Sequence, residues 1–118
     1  MQESEIDRWL GRQLRGMGCL YYKWVSPGCV GVPDRIVIIP GGRILFLELK
    51  TENGDLSAAQ KFQIRKLKAA GVPAGVIHGM PEAAALVKTI RESITKIGAI
   101  PECNMFRTNT RSTAKKEL

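Results

Sequence analysis

Charged residues interrupt two apolar segments of the chain. Between Gly31 and Lys50, two strongly apolar runs flank the turn Pro40–Gly42, and they contain Asp34, Glu48 and Lys50 itself. Burying a charge within a sheet is unfavourable unless the charge is paired or bound to a metal. Charged residues in this pattern therefore indicate either a metal site or a buried ion pair.

The turn between the two strands decides whether the carboxylates meet. Side chains alternate between the two faces of a strand, so Glu48 and Lys50 share a face. A two-residue turn would pair Asp34 with Leu49 and direct it to the opposite face. A three-residue turn, Pro40–Gly42, would place Asp34 directly across from Glu48, with Cβ atoms about 4.5–5.5 Å apart.

Two carboxylates at that separation suit a hard cation. They repel each other unless a cation or a proton lies between them, and Mg²⁺ or Mn²⁺ takes carboxylate, carbonyl and water ligands. Lys50 beside such an ion could orient or deprotonate a water, or stabilise charge on a phosphate. The spacing alone is equally compatible with an ion pair between Lys50 and Asp34 or Glu48 that has no catalytic role.

The elements that would position these residues follow the order α-β-β-β-α-β-α. Hydrophobic periodicity and turn residues predict helices over residues 3–17, 57–70 and 80–97, and strands over residues 20–25, 34–39, 43–50 and 74–78. Short connections predict an antiparallel meander for the first three strands, and the intervening helix predicts a parallel crossover to the fourth. We expect an α/β domain over residues 1–97, with a mixed central sheet flanked by helices, and a loose polar tail over residues 98–118.

A set of short motifs occurs in a fixed order along this chain. They are Glu-Ser-Glu-Ile, Lys-Trp-Val-Ser-Pro-Gly, Gly-Val-Pro-Asp-Arg, Pro-Gly-Gly-Arg, Glu-Leu-Lys and Leu-Ser-Ala-Ala-Gln-Lys. From Glu3 to about His78 this set resembles the virus-type replication-repair nuclease (VRR-NUC) domain, in the small stand-alone form found in phages and bacteria. That family belongs to the PD-(D/E)XK nuclease superfamily, so the resemblance implies a restriction-endonuclease-like core.

The resemblance also implies a chemistry and the residues that perform it. It implies metal-dependent endonucleolytic hydrolysis of DNA phosphodiesters, with Mg²⁺ or Mn²⁺ as cofactor. Asp34, Glu48 and the backbone carbonyl of Leu49 would be the metal ligands, and Lys50 the catalytic lysine. A further polar residue of the family corresponds to Gln60, which is also the expected capping-box partner of Ser57.

The family pattern places an acidic residue on the first helix, where it would join the catalytic and metal-binding set. Glu3 fits this place better than Glu5, because Glu3 lies three residues before Ile6 and so falls on the inward stripe of the helix. Glu5 projects roughly 100° away from Ile6, given 3.6 residues per turn. A position so far from the stripe is more often solvated.

The positive charge of the chain is unevenly distributed. The formal net charge is +7 over 118 residues, yet residues 1–18 and 19–56 are each neutral, whereas residues 57–78 carry four bases and no acid. The helical spacing of Lys61, Arg65 and Lys68 forms one stripe that could hold a DNA backbone. A solvated helix face is the alternative for that stripe. Lys23 could contact a phosphate, or could simply extend from its strand into solvent.

The small stand-alone members of the family also suggest the substrate and the assembly. They imply branched DNA, such as four-way (Holliday) junctions, and a symmetric homodimer. The residues that could form the dimer contact, or equally the core, are Tyr21, Tyr22, Trp24, Leu86, Val87 and Ile90. A nuclease with little structural preference and a non-catalytic DNA-binding domain are the alternative functions.

Composition restricts the compartment. Three cysteines lie far apart without a C-x-x-C pair, which disfavours a disulfide framework or a zinc site. No segment approaches the roughly 18 consecutive apolar residues of a membrane helix, and the acidic, polar start of the chain does not resemble a signal peptide. We therefore expect a cytoplasmic protein, and the resemblance implies the bacterial cytoplasm, with a gene carried by the bacterium or by a phage.

Overall fold

The computed structural model describes residues 2–97 and contains the predicted elements in the predicted order. The helices are α1 (Glu3–Gly16), α2 (Ala58–Ala69) and α3 (Gly79–Ile97), and the strands are β1 (Leu20–Lys23), β2 (Arg35–Ile39), β3 (Arg43–Lys50) and β4 (Ala74–His78). The predicted polar tail, residues 98–118, lies outside the described residues. No helix within residues 2–97 is long and apolar enough to cross a membrane.

The four strands form one mixed sheet in the order β1-β2-β3-β4. The β1–β2 and β2–β3 pairs are antiparallel and the β3–β4 pair is parallel, which confirms the predicted meander and crossover. Strand β1 is two residues shorter than predicted. Beyond Lys23 the Trp24 amide still donates to the Asp34 carbonyl at 2.9 Å, but Val25 is exposed.

One face of the sheet carries the hydrophobic core, beneath α1 and α3. Helix α1 buries Ile6, Leu10 and Leu14 completely, at the i, i+4, i+8 spacing of a core-facing stripe. The remaining members of the cluster come mainly from β2, β3 and α3: Val37, Ile39, Leu47, Leu49, Ala83, Val87 and Ile90. Helix α1 is thereby fixed along its length, so its first turn is held at one end of the sheet.

The opposite face of β2 is not fully covered, although a nearly continuous apolar run is typical of a strand buried on both faces. Val37 and Ile39 are buried, whereas Ile36 and Ile38 are only partly buried. Apolar residues on both faces of a strand do not by themselves require two covering layers. The partly open face is the one on which Glu48 lies.

Three of the six residues considered for a dimer contact belong to the core. Tyr21, Val87 and Ile90 are no more than 6% exposed. Buried side chains cannot also form a contact between subunits, so for these three the core alternative is the one that holds. Tyr22, at 53% exposed, remains accessible.

The loop before β2 packs closely on α2 at Gly31. This residue has φ of +92°, and a Cβ atom there would lie 2.6 Å from the carbonyl carbon and oxygen of Ala59, in the first turn of α2. Backbone atoms cannot move aside as a side chain can. A glycine at position 31 therefore allows the Gly-Val-Pro-Asp segment to lie against the helix that carries Gln60.

We expect Gly31→Ala to destabilise the protein more than Gly28→Ala. Both glycines have positive φ, but a Cβ at Gly28 would meet nothing within 4 Å. Gly28→Ala should lower the free energy of unfolding by about 1–2 kcal/mol through backbone strain alone. Gly31→Ala should cost about 3 kcal/mol or more, because overlap is added to strain. Urea denaturation of the two variants measures the difference, and equal losses would show that the contact with Ala59 is unimportant.

Candidate active site

The β2–β3 hairpin has the three-residue turn that brings Asp34 to Glu48. Ile39 pairs with Arg43 and Arg35 pairs with Leu47. The same register, continued by one residue, places Asp34 across from Glu48. The carboxylate oxygen Oδ1 of Asp34 accepts a hydrogen bond from the Leu49 amide at 3.3 Å. Both carboxylates therefore lie at the end of the hairpin distant from its turn.

Both carboxyl groups are partly withdrawn from water, and their pKa values reflect it. Glu48 is 5% exposed, and burial, followed by the nearby charge of Asp34, raises the pKa of Glu48 to about 7. Burial also raises the pKa of Asp34, although the charge of Arg35 opposes this shift. Desolvation and mutual repulsion both disfavour two negative charges here. A cation bound between these groups would relieve both penalties.

Lys50 lies on the same face as Glu48, as predicted from strand alternation. Its Nζ atom is 3.8 Å from Oε2 of Glu48, and the two side chains are 18% and 7% exposed. At that distance the pair is an electrostatic contact rather than a short hydrogen bond. The ammonium group therefore lies beside the Glu48 carboxylate without a hydrogen bond to it.

Gln60 caps α2, as the sequence predicted, and also contacts Glu48. Its Oε1 accepts from the Ser57 amide at 2.8 Å, while Ser57 Oγ accepts from the Gln60 amide at 3.1 Å, which completes the capping box of α2. Its Nε2 donates to Oε2 of Glu48 at 3.1 Å. Because an amide group offers one acceptor and two donors, a single Gln60 rotamer caps the helix and holds Glu48.

The two acidic residues at the start of α1 have different positions. Oε1 of Glu5 accepts from the Gln2 backbone amide at 3.1 Å and belongs to the cap of the helix. Glu3 lines a cavity of about 380 Å³ together with Asp34 and Leu49. Its charge also contributes to the raised pKa values of Asp34 and Glu48. Of the two acidic residues, Glu3 is therefore the one beside the carboxylate pair.

Glu3 remains exposed at the rim of this cavity rather than buried on the inward stripe. Within residues 2–97, no three histidine, cysteine, aspartate or glutamate side chains are close enough together to form a ready metal cluster. Asp34 and Glu48 form a facing pair, and Glu3 would have to approach them for a third carboxylate to join.

A second polar network, which the sequence did not indicate, lies next to the carboxylate pair. Arg35 donates from Nε to Oδ1 of Asp7 at 2.8 Å and from Nη2 to Oδ2 at 2.6 Å. The Tyr21 hydroxyl also donates to Oδ1 of Asp7, at 2.7 Å. Arg35 Nη1 donates to the backbone carbonyl of Asp34 at 2.9 Å. These bonds connect α1 to β1 and β2 directly beside Asp34.

The hydrogen bonds from Arg35 are the main reason that the pKa of Asp7 is lowered. The one sequence signal for this network is weak: Asp7 is an acidic residue one helical turn after Glu3, and Arg35 follows Asp34 directly. Nothing in that spacing shows that the two side chains meet.

The predicted DNA-binding residues are accessible. Lys61, Arg65 and Lys68 are exposed along α2, and none of the three forms a salt bridge with a carboxylate in the described part of the chain. Lys23 lines the same cavity as Glu3 and Asp34. The positions of these four side chains are compatible with phosphate contacts.

Comparison with known sequences identifies a domain family. The sequence profile of the VRR-NUC domain matches residues 12–81, more than half of the chain. This range includes Asp34, Glu48, Lys50 and Gln60 and begins after Glu3. A curated relative, "Putative nuclease p44" of Acyrthosiphon pisum secondary endosymbiont phage 1, is 46% identical over 50 residues, which are 42% of this chain and 54% of that protein. The chain thus spans about half the length of the curated relative.

Two solved structures agree with this assignment. One, titled "VRR_NUC domain", superposes with a TM-score of 0.69 at 25% identity, over 73% of this chain and 94% of the other. A second, titled "VRR_NUC domain protein", superposes with a TM-score of 0.60 at 22% identity, over 78% of this chain and 89% of the other, and shows likeness of fold alone. The facing carboxylates, the hairpin register and these matches lead to one conclusion: the chain belongs to the VRR-NUC domain family and has its PD-(D/E)XK-type fold.

Proposed function

We propose that the protein is a metal-dependent endonuclease that hydrolyses phosphodiester bonds of DNA. The observation that carries this proposal is the pair Asp34 and Glu48, which face each other across the hairpin with Lys50 Nζ 3.8 Å from Glu48. Membership of a nuclease domain family supports the same reaction. The intact set of three residues argues against a domain that binds DNA without cutting it.

The donor groups at the site suit Mg²⁺ or Mn²⁺. Asp34, Glu48 and the backbone carbonyl of Leu49 would hold the ion, with Glu3 as a further ligand from the rim, and all of these donors are oxygen atoms. The raised pKa values of Asp34 and Glu48 support the fit, since a cation would offset the repulsion that contributes to them. A bound divalent ion supplies Lewis-acid polarisation of a phosphate and a water of lowered pKa.

The remaining residues would orient the reacting groups. The Lys50 ammonium can hold or deprotonate the attacking water, or stabilise the charge that develops on the phosphate. Gln60 fixes one oxygen of Glu48 through its 3.1 Å hydrogen bond. That bond would keep the carboxylate in position while the charge around it changes.

Glu3→Gln is expected to reduce cleavage strongly, and Glu5→Gln only slightly. Glu3 lies on the cavity of Asp34, whereas Glu5 caps its own helix through Gln2. Loss of a ligand should reduce activity by about 10-fold or more, whereas loss of the cap should cost about 1 kcal/mol of stability. Initial cleavage rates, with thermal unfolding as the control for folding, separate the two effects. The opposite ranking in cleavage would show that Glu5, and not Glu3, belongs to the site.

The proposed substrate is branched DNA, and the proposed assembly is a symmetric homodimer. A four-way junction requires two matched incisions, and each chain offers one site with Asp34, Glu48 and Lys50. Two copies related by a two-fold axis would supply two sites through the same patch on each subunit. The exposed stripe of Lys61, Arg65 and Lys68 would contact the phosphate backbone. A nuclease with little preference for DNA structure is the alternative.

One experiment tests the reaction, the substrate and the assembly together. The purified protein is incubated with linear, flapped and four-way DNA in Mg²⁺, Mn²⁺ or EDTA, and its mass is measured by light scattering. We expect cleavage in Mg²⁺ or Mn²⁺ but not in EDTA, paired symmetric nicks in the junction, and a mass about twice 13.0 kDa. Cleavage in EDTA would contradict the metal proposal. Equal rates on all substrates by a monomer would favour the alternative.

A further inference from the structure

Helix α1 and the edge strand β1 enclose a basic groove. Its volume is about 540 Å³, and its charged lining residues are Arg8, Arg12, Arg15, Lys23, Arg35 and Asp7. Five bases therefore face one acid. We refer to this surface as the α1–β1 groove.

Most of these positive charges have no negative partner in the described part of the chain. Asp7 pairs with Arg35, but no described carboxylate forms a salt bridge with Arg8, Arg12, Arg15 or Lys23. These four side chains are exposed. Their combined field attracts polyanions and repels cations.

A glycine within α1 lies close to two lining residues of the groove, Arg15 and Tyr21. Gly11 is buried, and a Cβ atom there would lie 2.8 Å from Nη1 of Arg15 and 3.2 Å from Cδ2 of Tyr21. The Arg15 guanidinium lies over the Tyr21 ring, 5.5 Å from its centroid, and donates to the Tyr21 carbonyl at 3.4 Å. Glycine inside a helix costs about 1 kcal/mol relative to alanine. At position 11 it permits the close approach of β1 and Arg15 to the helix.

The α1–β1 groove is continuous with the candidate active site. Four residues, Ser4, Asp7, Lys23 and Arg35, line both the groove and the smaller cavity that contains Glu3, Asp34 and Leu49. A polymer bound at the carboxylate pair would therefore have an open, positively charged path along α1.

We propose that the α1–β1 groove binds the sugar-phosphate backbone of the DNA segment on one side of the scissile phosphate. The inference rests on the proposed nuclease function and adds a second DNA-contacting surface to the stripe on α2. Exposed arginines without a carboxylate partner suit phosphate oxygens, which they contact through several donors at once. A second copy of this chain fits the groove less well, because its formal charge is +7.

The test compares two double variants of equal charge. Arg8→Gln/Arg12→Gln removes exposed charges from the groove, and Lys88→Gln/Arg91→Gln removes exposed charges from α3, outside the groove. Binding of the full-length chain to labelled duplex and four-way DNA is measured by fluorescence anisotropy in EDTA at several salt concentrations. For the groove variant we expect the slope of log K against log salt to fall by about 1.8, since each lost duplex contact removes about 0.9. The α3 variant should change the slope by less than about half of the change that one lost contact causes.

Shortened DNA then tests whether the contact lies on one side of the cut. The affinity difference between wild type and the groove variant should vanish when one flank of the DNA is removed and persist when the other is removed. A difference that survives removal of either flank would show that the arginines act through overall charge, and would overturn the proposal. So would an unchanged salt slope in the groove variant.

The two proposals can fail separately. If wild-type protein cuts DNA in Mg²⁺ and the groove variant binds and cuts like wild type, the groove assignment fails and the nuclease function stands. If wild-type protein neither cuts nor binds any DNA, the nuclease function fails and the groove inference fails with it.

Discussion

Asp34→Asn, Glu48→Gln and Lys50→Ala are each expected to lower the rate of DNA cleavage by about 100-fold or more. Asp34 and Glu48 are the facing pair of the hairpin, and Lys50 lies 3.8 Å from Glu48. Each substitution is close in size to the native residue or smaller, so the fold should persist. Single-turnover cleavage of a four-way junction under saturating protein measures the effect on the chemical step.

Metal binding should separate the two kinds of residue. The carboxylate variants should weaken Mn²⁺ binding in calorimetry, because each removes a charged oxygen ligand. Lys50→Ala should retain metal binding, since the ammonium group is not a ligand, and should lose cleavage alone. Lys88→Gln, on the exposed surface of α3, is the control for removal of a lysine. Wild-type rates with normal metal dependence in all three variants would show that the reaction occurs elsewhere.

Local sequence rules predicted the hairpin and limited its register to two possibilities. Pro40–Gly42 offered two turn lengths, and the observed pairing of Ile39 with Arg43 selects the three-residue turn. That choice placed Asp34 opposite Glu48, as one of the two predicted registers required. Strand alternation has a period of two, so the two registers place Asp34 on opposite faces, and the observed pairing decides between them.

Contacts between elements distant in the sequence were less predictable. Asp7 and Arg35 are 28 positions apart, and their meeting depends on how α1 crosses the sheet. The capping-box pattern identified Gln60 as a partner of Ser57 but could not show its simultaneous bond to Glu48. Both contacts are set by the tertiary packing. Hydrophobic periodicity and capping motifs in the sequence do not reveal that packing.

The α1–β1 groove could not be predicted from the charge counted along the sequence. Residues 1–18 are neutral overall, because three acids balance three arginines. In the structure Glu3 lies on the cavity of Asp34 and Asp7 pairs with Arg35, while the arginines line the groove. A neutral segment can therefore present separate acidic and basic surfaces when helix faces divide its charges.

Asp7→Asn is expected to reduce both stability and cleavage. Arg35 makes two hydrogen bonds to Asp7, at 2.8 and 2.6 Å, and its side chain is 15% exposed. Asparagine keeps one acceptor oxygen but loses the charge and the second acceptor, which leaves a largely buried guanidinium without a charged partner. We expect a loss of about 2–3 kcal/mol in the free energy of unfolding, below the range for fully buried pairs because Asp7 is 30% exposed. Cleavage should fall as well, because Glu3 lies one turn earlier on α1 and the same network bonds to the Asp34 carbonyl.

A double-mutant cycle with Arg35→Gln separates this network from general destabilisation. If the two side chains act as a pair, the double variant should be more stable than the sum of the single losses predicts, by about 1–2 kcal/mol. Urea denaturation of the four proteins gives the coupling energy, and Glu5→Gln, which alters only the cap of α1, is the control. Cleavage should be measured well below the unfolding midpoint of each variant. Additive stability losses, or full activity in a folded Asp7→Asn protein, would show that this network does not position the start of α1 at the site.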